Sequence, residues 1–208
     1  MSWHIEDMNH RPNVLILVSK FGHCLQELLY QHHAGTLPCR VSGVVSNHMD
    51  MASMAAFYEV PYHHFPITQS TKPQQEALIA SLVDNLDIEL VVLARYMQVL
   101  SPELSRQLYG KTINIHHSFL PSFKGARPYH QAHERGVKVI GATAHYVTPD
   151  LDEGPIIEQE TMRVNHAHTP DQLVESGRYL ESLVLSRAVK YHLERRVILN
   201  GHKTVVFG

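Results

Sequence analysis

Short apolar runs alternate along this chain with longer segments in which apolar residues recur every three or four positions. The first run, 13–18 (NVLILV), is rich in branched side chains and reads as a strand buried on both faces. Behind it, Leu25, Leu28, Leu29 and His32 fall at helical spacing. Residues 39–46 (CRVSGVVS) read as a second strand, and 50–59 as a short helix with Met51, Met54, Ala55 and Tyr58 on one stripe. Those methionines fit core filler better than a cofactor box. A short extended piece spans 62–67. Lys72 to Leu86 reads as an amphipathic helix with Leu78, Ile79, Leu82, Val83 and Leu86 on one face, and 89–94 (ELVVLA) as another buried strand.

Ser101-Pro102-Glu103 is a helix start, a serine cap followed by proline in the first turn. A strand over 112–116 then runs into a long irregular loop, 117–127, which ends where Pro128 opens a short helix. Loops of that length inside a domain are often functional. Two more strands are predicted at 139–147 and 155–164. Thr169-Pro170-Asp171-Gln172 is a capping box that launches a helix to about Arg195, with Leu173, Gly177, Leu180, Val184, Ala188 and Tyr191 on one face. A hairpin-like tail, 197–207, turns at Asn200-Gly201. Strand alternating with helix predicts an α/β fold, a mostly parallel central sheet flanked by helices. With no repeat or linker in view, residues 13–208 are expected to form one domain.

Composition narrows the function classes. A chain of 208 residues buries roughly 70% of the surface it exposes when unfolded, so it needs no staple. Its net charge of −2, without a long run of one sign, argues against nucleic acid or an anionic membrane as partner. The start lacks a signal-peptide pattern, no run approaches the ~18 apolar residues of a membrane span, and a cytoplasmic location is expected. Cys24 and Cys39 fit buried free thiols better than a disulfide. Seventeen histidines invite a metal reading, yet there is no His-Glu-x-x-His and no Cys-x-x-Cys, so no metal is expected.

The richest segment chemically is 113–121 (INIHHSFLP). In a strand, Asn114 and His116 point to one side and Ile115 to the other. The strand would deliver an amide donor and an imidazole together at its carboxyl end, where open α/β sheets bind ligands. That pair suits attack on a carbonyl-like carbon, the amide donating to the oxyanion and the imidazole handling a proton. On spacing alone, such a pair at a strand end is more often structural. The acidic turn 148–154, with Asp150, Asp152 and Glu153, has the same two readings. It is a surface turn, or it brings a carboxylate that orients the His116 ring or holds a water. His117 is expected to face away from Asn114 and His116.

The runs Asn114 to Gly125 and Leu151-Asp152-Glu153-Gly154-Pro155-Ile156-Ile157 resemble the formyl-transfer family that uses 10-formyltetrahydrofolate. The stretches 94–100 (ARYMQVL), 125–132 (GARPYHQA), 135–138 (RGVK) and 141–147 (GATAHYV) are similar in detail to its formyltetrahydrofolate deformylase branch. The likeness covers residues 13 to 207. It implies a Rossmann-like formyltransferase fold and hydrolysis of 10-formyltetrahydrofolate to formate and tetrahydrofolate, supplying formate to purine biosynthesis. It further implies Asn114, His116 and Asp152 as the catalytic set and no cofactor beyond the folate substrate. The folate would lie against Met97, Gln98, Val99 and Leu100 and against Tyr146, Val147 and Thr148. His145 is either a neighbour supporting that set or a satisfied core histidine. A homo-oligomer is expected.

Transferase relatives hold a phosphorylated amine at a glycine-rich turn after the first strand. Here the turn reads Val18-Ser19-Lys20-Phe21-Gly22-His23-Cys24, with one glycine. Phe21 either fills the acceptor cavity, leaving room only for water, or is a packing residue. Branch members of this kind carry an amino-terminal ACT-type domain, and residues 1–12, with Trp3 and Ile5-Glu6-Asp7, resemble its junction. A formyltransferase with an amine acceptor and an inactive folate-binding module are the alternatives.

Overall fold

The first apolar run becomes β1 (Asn13–Val18), and everything from Val14 to Val18 is buried because helices cover both faces of the sheet. The computed structural model describes residues 7, 9–121 and 128–208. The expected junction at 1–12 falls partly outside the described residues, and loop positions 122–127 fall wholly outside them.

In chain order, α1 (His23–His33) leads to β2 (Arg40–Ser46), α2 (Ala52–Phe57) and β3 (Tyr62–His64). Then follow α3 (Lys72–Asn85), β4 (Leu90–Leu93), α4 (Pro102–Gln107) and β5 (Thr112–His116). The chain ends with α5 (Pro128–Glu134), β6 (Val139–Tyr146), β7 (Ile156–Arg163), α6 (Pro170–Leu193) and the hairpin β8 (Val197–Asn200) and β9 (Lys203–Val206). The seven-stranded sheet has the order β3-β2-β1-β4-β5-β6-β7. β1 pairs in parallel with β2 and β4, β2 with β3, and β4 with β5, whereas β6 runs antiparallel to β5 and β7 to β6. The predicted mostly parallel α/β architecture is what the chain adopts.

Two cores lie on opposite faces of this sheet. One gathers α1, α5 and α6 around Val14, Ile16, Ile113, Ile115, Leu180 and Leu185. The other packs α3 and α4 onto Leu15, Leu17, Val91 and Leu93 through Ile79, Val83, Leu104 and Leu108. Both helix starts read from sequence are built as expected. Ser101 Oγ accepts from the Leu104 amide, and Thr169 and Gln172 cap α6 reciprocally.

The inner face of α3 differs from its expected stripe. Leu78 is 50% exposed, while Gln75 and Glu76 are buried. These two polar groups are drawn inward by the 96–101 segment. Gln75 Nε2 donates to the Tyr96 hydroxyl at 2.7 Å and to the Phe65 carbonyl at 3.2 Å, and Glu76 Oε1 accepts from the Ser101 amide at 2.8 Å. The hydrogen bonds satisfy groups that would otherwise be costly to bury, and they anchor the segment that follows β4.

Candidate active site

Order reverses between β1 and β4, since β2 lies on one side of β1 and β4 on the other. Connections leaving the two strands diverge there and open a crevice at their carboxyl ends, the usual ligand position in open α/β sheets. Ser19 bridges the crevice: its amide donates to the Arg95 carbonyl at 3.2 Å, its hydroxyl donates to Asn47 Oδ1 at 2.8 Å and accepts from the Met97 amide at 3.0 Å.

Next to this point lies a cavity of about 260 Å³. Its walls are the 95–100 segment and the 147–152 turn, and its floor holds Asn114, His116, His117 and His145. Strand alternation supplies the floor. Ile113 and Ile115 point into the core beneath α1 and α6, which turns Asn114 and His116 to the opposite face. In β6 the residue paired with Asn114 is His145.

Asp152 completes the cluster. Its Oδ1 lies 3.2 Å from His116 Nδ1 and 3.7 Å from His145 Nε2. Burial by itself would raise the Asp152 pKa, but hydrogen bonding and charge from His116 and His145 outweigh it and hold the carboxyl well below the usual range. Asp152 is therefore ionised. An anion at Nδ1 fixes the proton of His116 on that nitrogen, and His116 Nε2 is left buried without a hydrogen-bond partner among the described residues.

His145 stands beside both the amide and the carboxylate. Its Nδ1 faces the Tyr146 carbonyl at 2.9 Å, so that nitrogen carries the proton. Its Nε2 lies 3.3 Å from Asn114 Nδ2 and 3.7 Å from Asp152 Oδ1. Asn114 itself lines the cavity, so its amide can donate to a ligand there. His145 is 2% exposed with its Nδ1 partnered, and it also neighbours Asn114 and Asp152, so the geometry fits both readings of it.

The acidic turn can fold back because Gly154 passes against the Tyr146 backbone. A Cβ at residue 154 would lie 1.7 Å from the Tyr146 carbonyl oxygen, so only glycine fits. Asp152 itself has φ 58°, a left-handed backbone.

Several expectations need correction. His117 does not turn away: its ring stacks on His116, with centroids 4.9 Å apart and an angle of 25° between planes, because the chain leaves the pleat after β5. Tyr146 does not line the cavity, although Met97, Gln98, Val99, Leu100, Val147 and Thr148 do. Alternation sends its ring to the other face, where its hydroxyl pairs with His192 Nδ1 at 2.7 Å. Phe21 is not among the residues that line this cavity. Its ring is 45% exposed beneath the Arg178 guanidinium, and the turn's close packing comes instead from Met51, whose sulfur would lie 2.2 Å from a Cβ at Gly22.

A buried polar cluster that sequence reasoning missed sits beside the crevice. Glu181 of α6, 1% exposed, receives His23 Nε2 and the Tyr129 hydroxyl at 2.7 Å each, with Arg95 Nε 3.3 Å away. Burial raises the Glu181 pKa, but His23, Arg95 and Tyr129 together bring it below its ordinary value. Its only sequence signal was a charged residue on the inner face of an amphipathic helix. His23, Cys24 and Glu181 offer three ligand atoms within 4.8 Å. Burial pushes the Cys24 thiol far up, Glu181 is engaged by two donors and the Arg95 guanidinium already stands beside it, so this donor set suits a cation poorly.

The sheet order, the crevice and the Asn–His–Asp cluster define an α/β protein of the formyltransferase type. The chain belongs to the formyl transferase family, whose model matches residues 12–189. A formyltetrahydrofolate deformylase of Corynebacterium sp. (strain P-1) is 57% identical over 99% of this chain and 72% of its own length. Among solved structures, the formyltetrahydrofolate deformylase of Burkholderia mallei superposes with a TM-score of 0.96 at 58% identity, over 100% of this chain and 74% of that one. Glycinamide ribonucleotide transformylase 1 of Symbiobacterium toebii superposes with a TM-score of 0.88 at 28% identity, over 97% and 96%. Among the described residues, no helix is long and apolar enough to cross a membrane.

Proposed function

We propose that this chain hydrolyses 10-formyltetrahydrofolate to formate and tetrahydrofolate. The observation that carries this reading is His116 Nε2, buried and unpartnered among the described residues, in one cavity with the Asn114 amide and with ionised Asp152 on Nδ1. Relatives at 57% and 47% identity bear the name formyltetrahydrofolate deformylase, which sets the substrate.

In the proposed reaction, water attacks the formyl carbon and His116 Nε2 takes its proton. Asp152 stabilises the imidazolium that forms. Asn114 Nδ2 donates to the oxyanion of the tetrahedral intermediate. The C–N bond to N10 then breaks, with the imidazolium proton going to nitrogen, and formate leaves. The folate lies along Met97 to Leu100 and Val147 to Thr148, whose backbone groups hold the pterin. The steps need no metal and no further cofactor.

Formate release from 10-formyltetrahydrofolate without any acceptor tests the reading. Steady release supports it. Release only on adding an amine acceptor would make the chain a transferase, and tight folate binding without turnover would make it a binding module. Buried, unpaired Cys24 and Cys39 fit a reducing cytoplasm. Light scattering separates the expected homo-oligomer from a monomer.

A further inference from the structure

Arg95 occupies the crevice between β1 and β4 and lines the same cavity as Asn114 and His116. Its place there is costly. The residue has φ 64°, a conformation that non-glycine residues adopt only when the surroundings hold them. What holds it is visible on both sides. Its carbonyl accepts from the Ser19 amide at 3.2 Å, and its Nε lies 3.3 Å from the buried carboxylate of Glu181. Glu181 in turn is fixed by His23 and Tyr129, and the Tyr129 ring reaches it only because residue 177 is glycine.

This arrangement leaves the guanidinium under-used. Nε is buried without a well-aligned hydrogen bond, and neither terminal nitrogen is hydrogen-bonded among the described residues. A guanidinium presents its N–H groups as a planar fork that matches a carboxylate with two parallel hydrogen bonds. Glu181 already accepts from two other donors, so it does not need the whole fork.

The geometry points to a small-carboxylate subsite in which the terminal nitrogens of Arg95 hold formate as it leaves the Asn114–His116 floor. The inference rests on the hydrolase reading for the source of the anion, but not for the binding event. Arg95 would thereby keep the product away from His116 Nε2, which must be free for the next water, and would set the sensitivity of the enzyme to its own product.

The test uses the whole chain and sodium formate as probe. Binding of ¹³C-formate is followed by NMR line broadening, and inhibition of hydrolysis by added formate is measured separately, with chloride at equal ionic strength as control. For the wild type we expect saturable formate binding that matches its inhibition. Arg95→Gln should weaken both by roughly tenfold or more, the loss expected for a charge-assisted hydrogen-bonded pair. Arg95→Lys keeps the charge without the fork and should fall between the two. Formate affinity unchanged in a folded Arg95→Gln protein overturns the subsite, as does absence of saturable formate binding by the wild type. If Arg95→Gln does not fold, Arg95→Lys decides, and unchanged affinity there overturns it. A wild type that binds formate yet releases none from 10-formyltetrahydrofolate leaves the subsite standing and removes the hydrolase reading instead.

Discussion

Asp152 meets His116 at 3.2 Å from a backbone with φ 58°, so the carboxylate that orients the imidazole is presented by a strained residue. Charge and conformation are both demanded of one position. Asparagine tolerates the left-handed region better than other non-glycine residues and matches aspartate in shape. Asp152→Asn should therefore fold with a thermal midpoint close to wild type while formate release drops by ~10²–10⁴, as when the anion behind a catalytic imidazole is lost. Asp152→Ala should lose similar activity and a further ~1 kcal/mol of stability from the backbone. Calorimetry and formate release on the pair separate the two demands. Near-wild-type turnover in Asp152→Asn would remove Asp152 from the mechanism.

Asn114 lines the cavity with its Nδ2 3.3 Å from His145 Nε2. Removing the amide takes away the proposed oxyanion donor without touching the proposed folate walls. Asn114→Ala should lower kcat by ~10²–10³ with little change in KM. A loss confined to KM would show that the amide binds substrate and does not act on the transition state.

Much of this site was legible in sequence wherever short-range periodicity fixes direction. Alternation along 112–116 placed Asn114 and His116 together, and the capping residues Ser101 and Thr169 marked their helices. Legibility failed where tertiary contact overrides the pattern. His117 lies one residue past the last paired position, so the strand period no longer governs it, and it stacks on His116. Tyr146 is expected beside Val147 on the cavity wall, although the same alternation sends them to opposite faces. Gln75 and Glu76 took buried places that an apolar stripe assigned to Leu78, because their partners lie on a different segment. The Arg95–Glu181 pair joins a strand end to a helix far along the chain, and no local pattern announces it.

Two glycines should respond differently to the same added methyl group. At Gly154 the Cβ would sit 1.7 Å from a backbone oxygen, so the turn bearing Asp152 must move. A displacement of about 1 Å at a catalytic group can cost ~10² in rate, so Gly154→Ala should be nearly inactive. At Gly177 the Cβ would sit 2.0 Å from Tyr129 Cζ, and a side-chain ring can swing aside. Gly177→Ala should cost about 1–3 kcal/mol through overpacking and loss of the Tyr129–Glu181 hydrogen bond, leaving the Asp152 turn intact. Denaturant titration and kcat on both variants check the contrast.

Acid should unfold this protein through two carboxylates. Asp152 and Glu181 both have folded pKa values below their ordinary ones, since hydrogen bonds and cationic neighbours overcome the burial that would raise them. Each contributes stability that is fully present above the unfolded carboxylate pKa of about 4 and is lost as pH falls toward the folded value. Stability measured by denaturant should thus be flat with respect to these groups near neutrality and should fall steeply below about pH 4. Glu181→Gln removes one titrating group and strips Arg95 of its buried counter-ion. It should lower stability at pH 7 by about 3 kcal/mol and make the acid slope shallower. An acid slope identical to wild type in Glu181→Gln would show that Glu181 does not stay ionised in the fold.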